Sequence, residues 1–304
     1  RAAGLSVCAD SDPGMHYPSC RTWNDGIDIK YSVYVPTSYA SFAKHPLYIY
    51  LHGYGGKYNT SWSAAETAKS ESDGWLLVSP DGRRRNQFDH VGELDFFQVL
   101  ADVKSRYSVD GDRIYLTGLS MGGHGSYRLA VRYPDLFAAV APVAGWTYYQ
   151  EFVPRFYERA VDPSLPTIDL ITPNRSPFYI DPSRKANYET AGALDWAENV
   201  LHLPLRIAYG TLDTTNRPQN QEWFVAALDR FGYENYVEVR VIGGGHGAGG
   251  STSDIVAFCN GKSRAVNPQN VVYTTHRLKY GGAYWLTITG LKTTNGWARI
   301  QATA

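Results

Sequence analysis

The pentapeptide Gly118-Leu119-Ser120-Met121-Gly122 constrains this chain more than any other stretch. Before it runs Arg113-Ile114-Tyr115-Leu116-Thr117, apolar enough for a buried strand; after it comes a helix-like run from Met121 to Tyr133 that Pro134 stops. Strand, sharp turn and helix in that order place a serine at the apex of the turn. Small residues two places to either side let the backbone fold tightly and lift the hydroxyl clear of a sheet. G-x-S-x-G by itself recurs by chance, and without its context it describes a glycine-rich turn that packs a helix on a strand. The strand-to-helix setting carries the argument.

Such a turn belongs at the carboxyl edge of a sheet, and the rest of the chain supplies one. After an irregular lead-in over residues 1 to 27, Ile27 to Val35 alternates as a strand and Pro36 ends it. Pro46 to Leu51 is nearly all apolar, as a strand covered on both faces should be, and runs into His52-Gly53-Tyr54-Gly55-Gly56. Thr60 or Ser61 is placed to cap a helix through about Ser72, and Trp75 to Ser79 reads as the next buried strand. Leu94, Phe97, Val99, Leu100 and Val103 make one apolar stripe on a helix from about Leu94 to Tyr107. Beyond the serine come strands at Phe137 to Gly145, Leu205 to Tyr209 and Tyr236 to Ile242, with helices at Pro218 to Phe231 and Thr252 to Cys259. This alternation predicts an α/β fold: a mostly parallel sheet with helices on both faces.

Two regions break the pattern. From Trp146 to about Val200 the alternation lapses and Pro154, Pro163, Pro166, Pro173, Pro177 and Pro182 accumulate, which reads as an insertion over the sheet's active edge. After residue 263, Val271 to Thr275, Ala283 to Thr289 and Trp297 to Ala302 read as strands separated by Gly281-Gly282 and Asn295-Gly296 turns. The expected organisation is a catalytic domain over 1–262, with its insertion at 146–200, and a C-terminal antiparallel β meander over 263–304. Three strands are marginal alone, so the meander either packs on the body or begins a further β domain.

Charge narrows the partners. Lys+Arg and Asp+Glu are both 29, no basic block stands out, and neither nucleic acid nor an anionic membrane surface is an expected partner. No stretch approaches the roughly 20 apolar residues of a membrane span. Residues 1 to 25 lack the apolar core of a signal peptide, so an exported protein would have lost its signal. Cys8 and Cys20 are close enough in sequence for a bridge to close a short loop, whereas Cys259 lies in an apolar helical stretch and reads as a buried free thiol. The 23 Tyr and 8 Trp suit a core, and equally a surface that holds sugars or aromatic acids on ring faces. Together these point to a secreted or extracellular location, with the oligomeric state open.

A serine hydroxyl becomes a useful nucleophile only when a base takes its proton and a third group holds the base. Of eight histidines, His246 fits best, since it follows the strand Tyr236 to Ile242 on a loop of glycines that lets the ring reach Ser120. His124 lies along the helix after the serine and reads as packing or capping. His16, His45, His90, His202 and His276 read as surface groups in loops or away from the serine. Asp213, just past the strand Leu205 to Tyr209, is the expected orienting acid, with Asp195, Glu198 and Asp254 as alternatives. The order Ser120, Asp213, His246 is one of the chain orders such triads take. Backbone N–H groups of Met121, at the helix start, and of Tyr54, in the glycine-rich loop, are the expected donors to an oxyanion. Trp146, Tyr148 and Tyr149, with Phe178 and Tyr179, are candidate walls of the substrate pocket. No His, Cys and carboxylate cluster has zinc spacing, and neither metal nor cofactor is expected.

Taken together, Leu51-His52-Gly53-Tyr54-Gly55-Gly56, Val109 through Gly123, Tyr133-Pro134-Asp135-Leu136-Phe137-Ala138-Ala139, Gly210 to Asp213 and Gly245-His246-Gly247 resemble the α/β-hydrolase superfamily. The resemblance runs over roughly residues 28 to 260 and is nearest the secreted esterase and polyhydroxyalkanoate-depolymerase-like branch, which borders on prolyl-oligopeptidase-type hydrolases. It implies hydrolysis of carboxylic esters, acetyl and feruloyl esters on plant polysaccharides among them, without metal or cofactor. Where relatives commonly follow the acid with Val-Pro, Thr214-Thr215-Asn216-Arg217-Pro218 stands here. A serine peptidase of the prolyl-oligopeptidase type is a second reading, though no repeat of a propeller domain is visible. The third is a silent hydrolase fold used for binding, which would predict a missing triad member.

Overall fold

The computed structural model describes residues 13–21, 28–59, 61–148, 192–293 and 296–304. Cys8, Tyr149, Phe178, Tyr179, the cap candidate Thr60 and most of the expected insertion lie outside the described residues. Short strands β1 (Gly14–His16) and β2 (Ser19–Arg21) pair antiparallel with β3 (Asp28–Val35), so the lead-in is less irregular than its composition suggests. Then follow β4 (His45–Leu51), α1 (Ala64–Asp73), β5 (Leu76–Pro80), α2 (Val91–Arg106), β6 (Val109–Leu119), α3 (Met121–Arg132) and β7 (Ala139–Val143). A 3-10 helix (Leu194–Val200), β8 (Leu205–Gly210), α4 (Gln219–Phe231), β9 (Tyr236–Val241) and α5 (Thr252–Cys259) complete the body.

The sheet order is β1-β3-β5-β4-β6-β7-β8-β9. From β5 to β9 every pairing is parallel, and β3 joins β5 antiparallel. Strand residues alternate between two cores as the pleat requires. Leu47, Ile49 and Leu51 face the core that holds α2, α3 and α4, whereas Tyr48 faces the one that holds α5. Helix α1 packs beside α5 on that second face. Its start differs from expectation: Ser63 caps it, because Glu66 three residues on completes a reciprocal capping box. Element order and sheet order together are those of the α/β-hydrolase fold.

The C-terminal strands pair differently from a meander. Strand β10 (Asn270–Thr275) pairs antiparallel with β13 (Ala298–Thr303), and the segment between folds into the small hairpin β11 (Gly282–Ala283) with β12 (Leu286–Thr287). Two contacts draw that middle segment away: the Tyr284 N–H donates to Asp135 Oδ2 of the body at 2.9 Å, and Trp285 Nε1 donates to the carbonyl of Pro268, just before β10, at 2.7 Å. Asn199 stitches β10 to the body, its amide donating to the Val131 and Thr274 carbonyls while its oxygen accepts the Thr274 N–H. Beneath, Arg132 of α3 meets Glu93 of α2 at 2.9 Å, and Lys279 reaches the other oxygen of Glu93 at 2.6 Å.

Candidate active site

Loops after β4, β6, β8 and β9 leave the carboxyl edge of the sheet, and they carry Tyr54, Ser120, Asp213 and His246 in turn. Between β4 and β6 the strand order reverses direction, the place where open α/β sheets form a crevice. At the end of β6 Ser120 has φ 58° and ψ −112°, a conformation costing about 1–3 kcal/mol for a residue with a Cβ. Its N–H donates to the Val143 carbonyl across the sheet at 2.9 Å, and its own carbonyl accepts the His124 N–H at 2.9 Å, so strand and helix both pull on it. Gly118 and Gly122 permit the backbones of β4 and α3 to touch beneath it.

Asp213 is buried and fully engaged. Its Oδ2 lies 2.8 Å from His246 Nδ1, while Oδ1 accepts the N–H groups of Thr215 at 2.8 Å and Asn216 at 2.9 Å. The Thr214-Thr215-Asn216 departure therefore forms the turn that fixes the acid, and Asn216 anchors this turn to the Ala144 carbonyl. A carboxylate on Nδ1 makes that nitrogen the donor and leaves Nε2 as the basic nitrogen of a neutral ring. The His246 side chain is 30% exposed. Next to it, a Cβ on Gly247 would meet Leu119 Cδ1 at 3.3 Å, so the histidine loop rests on the elbow. The alternative acids are elsewhere: Glu198 pairs with Arg299, Asp254 lies 3.8 Å from Arg206, and Asp195 is on the 3-10 helix.

The loop after β4 turns tightly, with the Gly56 N–H donating to the Gly53 carbonyl at 2.9 Å. A Cβ on Gly53 would be 3.7 Å from Ser120 Cβ, which puts the main chain leading to Tyr54 beside the serine. Met121 opens α3 on the other side. Sequence reasoning missed the support of this loop. His52 is buried, with Nε2 2.9 Å from the Asp81 carbonyl and Nδ1 2.9 Å from the Gly53 carbonyl, so it ties the loop to the end of β5. Its place inside His-Gly-x-Gly-Gly was the available signal. A cavity of about 350 Å³ opens here, lined by Tyr50, His52, Gly53, Tyr54, Gly56, Lys57 and Asn59.

Trp146 is 3% exposed, its ring stacked on His124 at 4.2 Å with its carbonyl 2.8 Å from His124 Nδ1. Burial, with Arg128 nearby, drives the His124 pKa well below the ordinary value, so this ring stays neutral under α3. Tyr148 meets Trp223 edge-on at 5.7 Å, and its N–H donates to Asn220 Oδ1. His45 and His276 are buried rather than surface groups. His45 begins β4 and holds the Gly74 carbonyl, and His276 packs against the rings of Trp196 and Trp297, which also meet each other. Cys259 is a buried free thiol whose pKa burial pushes up to about 12. Among the described residues, no group of three or more His, Cys, Asp or Glu is placed to hold a metal ion, and no helix is long and apolar enough to cross a membrane.

The chain is similar in sequence and in fold to known proteins. The chain is 31% identical over 122 residues to the bifunctional acetylxylan esterase/xylanase of Neocallimastix patriciarum, covering 37% of this chain and 17% of that protein. Feruloyl esterase B of Talaromyces stipitatus is 30% identical over 129 residues, 38% of this chain and 36% of its own. The chain thus spans well under half the length of these relatives. Among solved structures, a thermostable esterase superposes with a TM-score of 0.56 at 18% identity, covering 82% of this chain and 63% of that one. Residues 85–259, more than half of the chain and including Ser120, Asp213 and His246, match the prolyl oligopeptidase family, and the chain belongs to that family.

Proposed function

We propose that the protein is a serine hydrolase of carboxylic esters. The contact between His246 Nδ1 and the buried Asp213 carboxylate, on a histidine loop that rests against Leu119 next to a strained Ser120, carries this reading. Ser120 Oγ attacks the ester carbonyl carbon as His246 Nε2 takes its proton, and the N–H groups of Met121 and Tyr54 bind the resulting oxyanion. Collapse of the tetrahedral species breaks the bond to the alcohol, which leaves with the proton from His246. Water, deprotonated by the same ring, then releases the acid from the acyl-enzyme. Asp213 keeps the ring in one tautomer and stabilises its cationic form. Similarity to an acetylxylan esterase and a feruloyl esterase favours esters of plant polysaccharides, and hence action outside the cell.

The family match supports a second reading, cleavage of peptide amides. Turnover across p-nitrophenyl esters, feruloyl esters, acetylated xylan and peptide amides separates the two. A covalent phosphonate located by mass spectrometry identifies the nucleophile. Ester turnover with the label on Ser120, and loss of roughly a thousandfold or more in Ser120→Ala, is the expected result. Turnover of peptide amides alone would transfer the assignment to a peptidase, and a label elsewhere would remove Ser120 from its role.

A further inference from the structure

Between β5 and α2 the backbone is strained over a short stretch. Arg83, Arg84, Gln87, Phe88 and His90 have φ of 55°, 60°, 63°, 52° and 47°, values unfavourable for residues with a Cβ, which persist only where the surroundings enforce them. The enforcing contacts all point inward. Arg83 clamps the buried Asp95 through Nε at 2.7 Å and Nη2 at 3.2 Å. Asn86 Oδ1 accepts the Gly92 N–H at 2.9 Å, and buried Phe88 packs edge-on against His52 at 5.4 Å. Asp89 pairs with buried Arg128; burial opposes its ionisation, yet Arg128 and Arg132 keep its carboxyl well below the usual carboxylate range.

What this loop holds outward is a pair of cations. Arg84 and Arg85 are exposed, and no carboxylate among the described residues pairs with either. Arg85 stacks its guanidinium 4.7 Å from the centre of the Tyr54 ring, which is itself 66% exposed. Tyr54 belongs to the loop beside Ser120 and lines the cavity that opens there. The nearby acids are directed elsewhere: Asp81 Oδ1 faces the Tyr58 N–H at 3.4 Å, and Asp89 and Asp95 are taken up by Arg128 and Arg83. A surface arginine needs no strained support, and a stacked guanidinium is already oriented for a two-pronged contact with a carboxylate.

We propose that Arg84 and Arg85 form an anion subsite at the rim of the active site, selecting esters whose acyl or alcohol part bears a free carboxylate. This rests on the ester-hydrolase reading. Substrates come in matched pairs: 4-acetoxybenzoate against 4-acetoxybenzamide for the alcohol side, and mono-p-nitrophenyl suberate against p-nitrophenyl octanoate for the acyl side. In at least one pair, wild-type kcat/KM is expected to favour the anion by roughly tenfold or more, the scale of one charge-assisted contact. That ratio falls in about 0.5 M NaCl, where charges are screened beyond a few ångströms. It collapses in Arg84→Gln/Arg85→Gln and is largely kept in Arg85→Lys. Thermal melting checks that each variant is folded; should the double variant not fold, Arg85→Gln against Arg85→Lys decides. Neutral esters turned over with no anionic preference, or a preference that survives loss of the arginines, overturns the subsite while ester hydrolysis stands. Turnover of none of these esters overturns the ester reading and this inference with it.

Discussion

Gly122 and Leu51 meet backbone to backbone: a Cβ on Gly122 would lie 1.9 Å from the Leu51 carbonyl oxygen. The end of β4 and the first turn of α3 are thereby locked at the closest approach their main chains allow. Gly122→Ala should force them apart and destabilise the protein by about 3 kcal/mol or more. Gly111→Ala, where no atom lies within 4 Å of the added carbon, serves as control and should shift the urea midpoint little. Equal shifts would show that the close approach is not what the glycine serves.

Asp213→Asn should fold like the wild type and lose roughly three to four powers of ten in kcat, mostly without a change in KM, because an amide presents the wrong partner to His246 Nδ1. Retained turnover in this variant, with loss on the same change at Asp195 or Asp254, would move the acid elsewhere.

Removing one member of the Glu93, Arg132 and Lys279 group should be felt far from the change. Burial opposes ionisation of Glu93, but Arg132 and Lys279 hold its pKa below the ordinary value. Glu93→Gln leaves the buried Arg132 short of its partner, and about 3–5 kcal/mol of stability should go. Limited proteolysis should then cut first within 263–304, since Lys279 and Tyr280 bond to the same carboxylate. Unaltered stability would mean that water or Asp89 replaces Glu93.

His276 should make the protein acid-sensitive. Burial, with Arg277 and Arg132 nearby, depresses its pKa to about 4, so the folded ring is neutral while the unfolded one titrates near 6.5. Stability from this group is fully present above the unfolded value and is lost as pH falls from about 6.5 towards 4. Between pH 7 and 5 the melting temperature of the wild type should fall further than that of His276→Phe. Parallel curves would assign the acid loss to other groups.

How much of this could be read from sequence varied with the kind of signal. Strands β4 to β8 are legible as largely apolar runs bounded by turns and β9 as the alternation of Val237, Val239 and Val241, and the Ser120, Asp213 and His246 loops because each follows such a strand. Cap choice was not, since Thr60, Ser61 and Ser63 look alike until Glu66 is seen to answer Ser63. Strand pairing after residue 263 failed for a related reason. Alternation marks 283–289 as extended but cannot tell that Asp135 and Pro268 will draw its neighbours aside. His276 looked like a loop histidine, because the burying rings of Trp196 and Trp297 come from distant parts of the chain.

Thr147 accepts the N–H groups of Ala193 and Leu194 through a single carbonyl, at 2.7 and 3.0 Å, while Asn220 grips the N–H groups of Thr147 and Tyr148. Thr147 and Tyr148 are thereby held against Ala193 and Leu194 at one clasp. Closure entropy grows only with the logarithm of loop length, so the span between could lengthen, shorten or be exchanged over evolution without moving β7 or β8. For an engineer the clasp is a graft point: a foreign segment joined there should leave the sheet in register.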